Sequence, residues 1–245
     1  TNVAGTALGA VIAWIMLYKQ LDRHWHAGTA QLFSPKTRGA QLLLVLWPCA
    51  LLFPVAVPFA LGQVGASFSF STWLGKAATM PIQVQYGATG LGLLLPILIA
   101  YSAITGWHKR LLVLVLCLLV GFGASYLAFK LGFDNLPYSK WKIPLFQRMV
   151  PLVVIVGLLL LPFSQKIVTA IAVGVVVAHL AIMNYYATTV YFTWMVDNSL
   201  KHSFIHFYGI TRWLGLLWPW LALIWLVRHW LRPSPASVVH SPIIS

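Results

Sequence analysis

Between Asp197 and His206 the chain reads "DNSLKHSFIH", and this is its densest gathering of side chains able to do chemistry. The whole sequence has only three acidic residues, Asp22, Asp134 and Asp197, so one of the three lying beside two histidines is unusual. His202 and His206 are spaced i, i+4, which on a helix puts both imidazoles on one face, the spacing used to offer two nitrogens to one metal ion. Asp197 lies five residues before His202, about 140° round a helix, so it joins the pair only if the helix begins after it. Asp197 or Ser199 then serves as the N-cap. The expectation is that 196–212 opens an interfacial helix, with Asp197, His202 and His206 as a possible transition-metal set. The plainer reading is a helix whose histidines hydrogen-bond to headgroups or neighbouring backbone.

The segment "DNSLKHSFIHFYG" is similar to copper membrane monooxygenases in having an Asp and two His near a membrane helix. The spacing differs, and the likeness covers 13 of 245 residues, so the family is not assigned. A second group, "DRHWH" with Asp22, His24 and His26, alternates and therefore shares one direction only in an extended loop. By loop parity it falls on the opposite side of the membrane from His202 and His206, which argues against a joint site.

Further polar groups occur in "HLAIMNYYATTVYFTW". His179, Asn184, Tyr186, Thr188, Thr189 and Tyr191 place hydrogen-bonding side chains within an apolar run. His179 and Tyr186 are seven residues apart; Asn184, Thr188 and Tyr191 follow at i+4 and i+7, so the residues form stripes. In lipid such groups must face a partner helix or a cavity, because left unsatisfied they are costly. They are read as the lining of a substrate path, with interhelical hydrogen bonding as the alternative.

The elements that must carry these groups follow from composition. The chain is 60% hydrophobic and 8% charged, against about 25% charged for a soluble domain. Its solvent is therefore expected to be largely hydrocarbon. Continuous apolar runs rather than alternation exclude a transmembrane barrel, leaving helices to satisfy their own backbone. A span needs about 20 apolar residues. Seven candidate spans lie near 2–18, 40–62, 86–107, 111–133, 149–163, 167–194 and 213–231, with six or eight as neighbouring counts. The fold class is an all-α polytopic transmembrane bundle, one domain over 1–231, with 232–245 a flexible tail. The second run contains Pro48, Pro54 and Pro58, each of which removes a backbone donor and bends a helix. Residues 63–85 are too polar to span and read as an extended or interfacial loop. Trp14, Trp107, Trp194, Trp213 and Trp230 near run ends suit an aromatic belt.

The 16 Lys and Arg sit in short clusters between apolar runs, as "KQLDRHWH", "HKR" and "SKWKIPLFQR". They point to anionic headgroups of a lipid bilayer rather than to nucleic acid. On the seven-span count nine fall on one side and seven on the other, which sets no orientation. Cys49 and Cys117 lie in apolar runs and read as small core residues. HExxH, Walker and GxSxG motifs are absent, and no acidic residue lies near the middle of a span, where ion-coupled carriers place one. The favoured function is a permease-like or channel-like membrane component, moving a small or amphipathic substrate within a larger complex that includes other membrane or peripheral subunits. The expected location is multi-pass, in a bacterial inner membrane. The alternatives are a metal or redox enzyme using Asp197, His202 and His206, and a structural anchor subunit.

Overall fold

The computed structural model describes residues 37–52, 59, 80–132, 143–186 and 205–231, with side chains undescribed at 129–132, 143–147, 205–209 and 212. Among the described residues there are six helices and no strand: α1 (Arg38–Leu51), α2 (Ile82–Ala103), α3 (Trp107–Gly132), α4 (Ile143–Leu159), α5 (Gln165–Tyr185) and α6 (Ile205–Trp230). Three stretches are long and apolar enough to cross a membrane: Ile82–Ala103, Trp107–Ala128 and Gln165–Tyr185. Among the described residues these three stretches answer to the third, fourth and sixth of the seven expected spans. The first expected run, 2–18, lies outside the described residues.

α2 is the axis of the assembly. Its most extensive packing is against α5 and then α4, and it also meets α1 and α3. From Leu93 to Ala103 every residue is buried, so the helix has no polar face to turn outward. A helix apolar all round is stable only when neighbours or hydrocarbon cover every side. α6 completes the bundle by packing on α1 and α5. The inward residues of α6, Thr211, Gly215, Trp218, Ala222 and Leu226, recur at three- and four-residue steps, the spacing that keeps one helical stripe facing its partners.

Helix ends follow from local chemistry. α1 stops at Leu51 rather than running on to 62 as expected. Leu52 closes it, its N–H reaching Cys49 O at 3.3 Å. Pro54 could not donate to the Ala50 carbonyl, and its ring disfavours a helical conformation at Phe53. Pro48 is accommodated within the helix. α2 begins at Ile82, four residues before the sequence reading placed it, and ends where Ile104 turns extended. Gly106, at φ +96°, makes the tight turn into α3, a conformation that a Cβ would strain. Ser164 caps α5, its Oγ accepting from the Ile167 N–H at 3.4 Å, as N-cap serines do. α5 ends at Tyr185 and not near 194, because the consecutive tyrosines and the threonine pair after them are weak helix formers. α6 begins at Ile205, so the expected interfacial segment 196–212 and the last apolar run share one continuous helix from that residue on.

Close approaches fix the pairings. A Cβ at Gly39 would collide with the Trp225 indole, so α1 and α6 meet where no side chain intervenes. A Cβ at Gly157 would stand 2.9 Å from Leu114 Cδ1, bringing α4 against α3. The outward faces are as apolar as the interior. Leu112, Leu119 and Phe122 on α3, Leu152 and Ile155 on α4, and Ile224 on α6 are all exposed. Soluble monomers rarely show contiguous apolar surface on this scale.

Candidate functional site

His179 is carried on the inward face of α5, in register with Val168, Ala172, Val176 and Met183, and is fully buried. The Phe59 ring meets it edge-on, with centroids 6.2 Å apart. Phe59 stacks flat on Trp218 of α6 at 4.4 Å and 6°. Trp218 is anchored in turn, its Nε1–H donating to the Leu43 carbonyl of α1 at 2.8 Å. A contact series thus runs from Leu43 through Trp218 and Phe59 to one imidazole. Phe59 adopts φ +61°, which is rare for a bulky residue and persists only when packing holds it. The stacked indole supplies that packing.

The remaining sequence-predicted path residues behave differently. The Asn184 side chain turns back on its own helix, Nδ2 donating to the Leu180 carbonyl at 2.8 Å. Tyr186 is the extended C-cap of α5 rather than a helical position, and the adjacent Tyr185 ring meets it edge-on at 4.9 Å. The expected helical stripe from His179 to Tyr186 therefore breaks at its lower end. Thr188, Thr189 and Tyr191 lie outside the described residues. So do Asp197 and His202 of the expected metal set; His206 lies in the first turn of α6, with its side chain undescribed. Among the described residues no three His, Cys, Asp or Glu side chains gather in a metal-holding group.

A second polar assembly was visible in the sequence only as the cluster "HKR". Arg110 is buried and donates to four backbone carbonyls: Nε to Ile104 O at 3.2 Å, Nη1 to Leu161 O at 2.8 Å and to Phe163 O at 2.7 Å, and Nη2 to Tyr101 O at 3.1 Å. Its Cζ also stands 5.5 Å from the Tyr101 ring centre. These carbonyls are the groups left unsatisfied where α2 and α4 end, and the negative ends of both helix dipoles favour a cation there. One guanidinium thus ties the α2–α3 turn to the α4–α5 turn. Beside it, His229 Nε2 lies 3.2 Å from Ser102 O, while the His229 ring stacks on Trp225 at 4.9 Å. At the opposite end Arg148 of α4 hydrogen-bonds the Tyr86 hydroxyl of α2.

Nothing in the "HKR" spacing foretold the clamp, since its acceptors are main-chain atoms with no sequence signature. Trp218 and Phe59 likewise read as two aromatics among many. No protein-family model matches this chain, and no curated protein or solved structure matches it either.

Proposed function

We propose that the chain is a multi-pass integral membrane protein acting as the permease-like component of a larger complex, with the inward face of α5 lining the substrate path. The observation that carries this reading is His179: an imidazole fully buried on a helix long and apolar enough to cross a membrane. Ionisable groups are expensive at that depth and are usually retained for substrate or ion handling. Phe59 packs edge-on against the imidazole and Trp218 stacks on Phe59; in this reading the stack is the gate, and the path opens by parting it.

Substituted-cysteine accessibility tests the reading without knowledge of the substrate. Val176→Cys, His179→Cys and Met183→Cys are placed singly in a Cys49→Ala, Cys117→Ala background and treated, in native membranes, with a small cationic methanethiosulfonate. The expected result is modification at the three inward positions and none at Val177→Cys, which faces out from the same helix. Silence at all three inward positions would leave an anchor subunit as the better description. A stoichiometric transition metal in the purified protein, lost in His202→Ala, would favour the redox alternative.

A further inference from the structure

α2 and α6 carry the same five-residue pattern, "GLLLP" at 92–96 and "GLLWP" at 215–219. Each helix continues through it, with Pro96 and Pro219 in the interior. A proline has no N–H, so the carbonyl four residues before it loses its helical donor. The oxygens released are those of Gly92 and Gly215. In hydrocarbon such an oxygen needs a new partner, from a neighbouring helix, a water or a bound molecule. Gly92, Pro96, Gly215 and Pro219 are all buried, so both oxygens belong to the interior of the bundle.

Helix register brings them to His179. Arg110 ties the end of α2 to the turn that begins α5, so these two packed helices run antiparallel. Ala88 of α2 packs with Met183 of α5. Four residues on along α2 and four back along α5, Gly92 therefore stands opposite His179. From α6, Trp218 connects to the same imidazole through Phe59. Gly215 lies on the inward stripe of α6 about one turn before Trp218, and helical carbonyls point toward the C-terminus, so its oxygen is directed to the level of that indole. Gly92 is at the middle of α2, a helix of 22 residues, about 17 Å from either end. That is the midplane of a hydrocarbon core about 30 Å thick.

We propose that the Gly92 and Gly215 carbonyls, with His179 and the Phe59–Trp218 stack, bind the ammonium group of a small amine at mid-depth. The arrangement offers carbonyl oxygens, an imidazole and aromatic faces, and no carboxylate occurs among the described residues. An alkylammonium uses each of these: its N–H groups donate to the carbonyls, and its charge lies against the ring faces. Carbonyls freed from helices at mid-membrane are a recurrent means of holding a cation without a carboxylate. An anionic group would instead meet the negative ends of both carbonyl dipoles. Gly92 contributes no side chain, which leaves room for the ligand opposite the imidazole. The assignment rests on the reading of α5 as the wall of a substrate path and adds the substrate class.

The prolines make the carbonyls testable, because Pro96→Ala and Pro219→Ala each give the released oxygen its helical donor back. The full chain in lipid nanodiscs is titrated with methylammonium chloride, tetramethylammonium chloride or sodium chloride, and the thermal midpoint is followed. Methylammonium is expected to raise it at concentrations where sodium does not. Pro96→Ala and Pro219→Ala are each expected to keep or raise the unliganded midpoint while weakening methylammonium about ten-fold, the scale of one charge-assisted hydrogen bond. Pro151→Ala is the control. Pro151 is exposed on α4, and its substitution is expected to leave the affinity unchanged. Equal loss from Pro151→Ala, or affinity that falls only in step with the unliganded midpoint, would make the prolines structural and overturn the site. An equal response to sodium would overturn the amine assignment, and an equal response to tetramethylammonium, which has no N–H, would overturn the role of the carbonyls. Methylammonium binding by a chain whose inward cysteines stay unmodified would keep the site and remove the path; modified cysteines without methylammonium binding would remove the site and keep the path.

Discussion

Arg110 carries a positive charge to a position where four carbonyl oxygens, and no carboxylate among the described residues, receive it. The planar guanidinium is what makes this possible, since its donors point outward in a fixed fork and reach two turns at once. A lysine offers three donors from a single point and cannot span the same four acceptors. Arg110→Lys is therefore expected to lower stability by about 3 kcal/mol, the scale on which broken buried charge networks are felt. Thermal unfolding in lipid nanodiscs reads this directly, and a midpoint equal to wild type would show the clamp to be incidental. Tyr101 supplies the contrast. Its hydroxyl is buried with no hydrogen-bond partner, so Tyr101→Phe removes a desolvated polar group and leaves the ring against Arg110. The expected midpoint is unchanged or raised. A fall would mean that the hydroxyl is satisfied by a bound water or lipid group.

Between elements, the contact of α1 with α6 depends on Gly39 having no side chain. The Trp225 indole occupies the space a Cβ would need, and a rigid bicyclic ring cannot fold aside as a long flexible side chain would. Gly39→Ala is expected to destabilise by about 1–3 kcal/mol, and most of that loss should vanish in Gly39→Ala/Trp225→Ala if the two residues meet as described. Purely additive losses would place the effect elsewhere. This interface also marks how far the sequence could be read. The apolar runs announced α2, α3 and α5 because a continuous hydrophobic stretch has few other uses, and Gly106 and Ser164 carry local signals of a turn and a cap. The end of α1 was legible in principle, since Pro54 forbids the next helical hydrogen bond even though the apolar run continues to residue 62. The site was partly legible. An isolated His179 in an apolar run stood out by type alone, whereas its neighbours Phe59 and Trp218 are 120 and 39 residues distant in the chain and no periodicity links them. For Asn184, helical spacing tells which face the residue occupies and not that its amide bonds the Leu180 carbonyl of its own helix.

Across the molecule, the apolar outer surface distinguishes one solvent from another. Leu119 on α3 is 64% exposed. Were the surroundings water, an exposed leucine could become arginine with a stability change of no more than about 0.5 kcal/mol. If hydrocarbon surrounds α3, the same arginine must be held at the depth of a membrane helix, at a cost of about 3 kcal/mol near its centre. Leu119 lies midway along the stretch Trp107–Ala128, too far from either end for an arginine to reach the interface without distorting the helix. Leu119→Arg is therefore expected to reduce membrane insertion and steady-state amount sharply, while Trp107→Arg, exposed at the first residue of the same helix, is expected to be tolerated. Glycosylation-site insertion reporters and quantitative immunoblotting of the membrane fraction compare the two. Equal tolerance of both substitutions would place α3 in water or against a polar partner surface, and the path proposed along α5 would lose the bilayer that gives it direction.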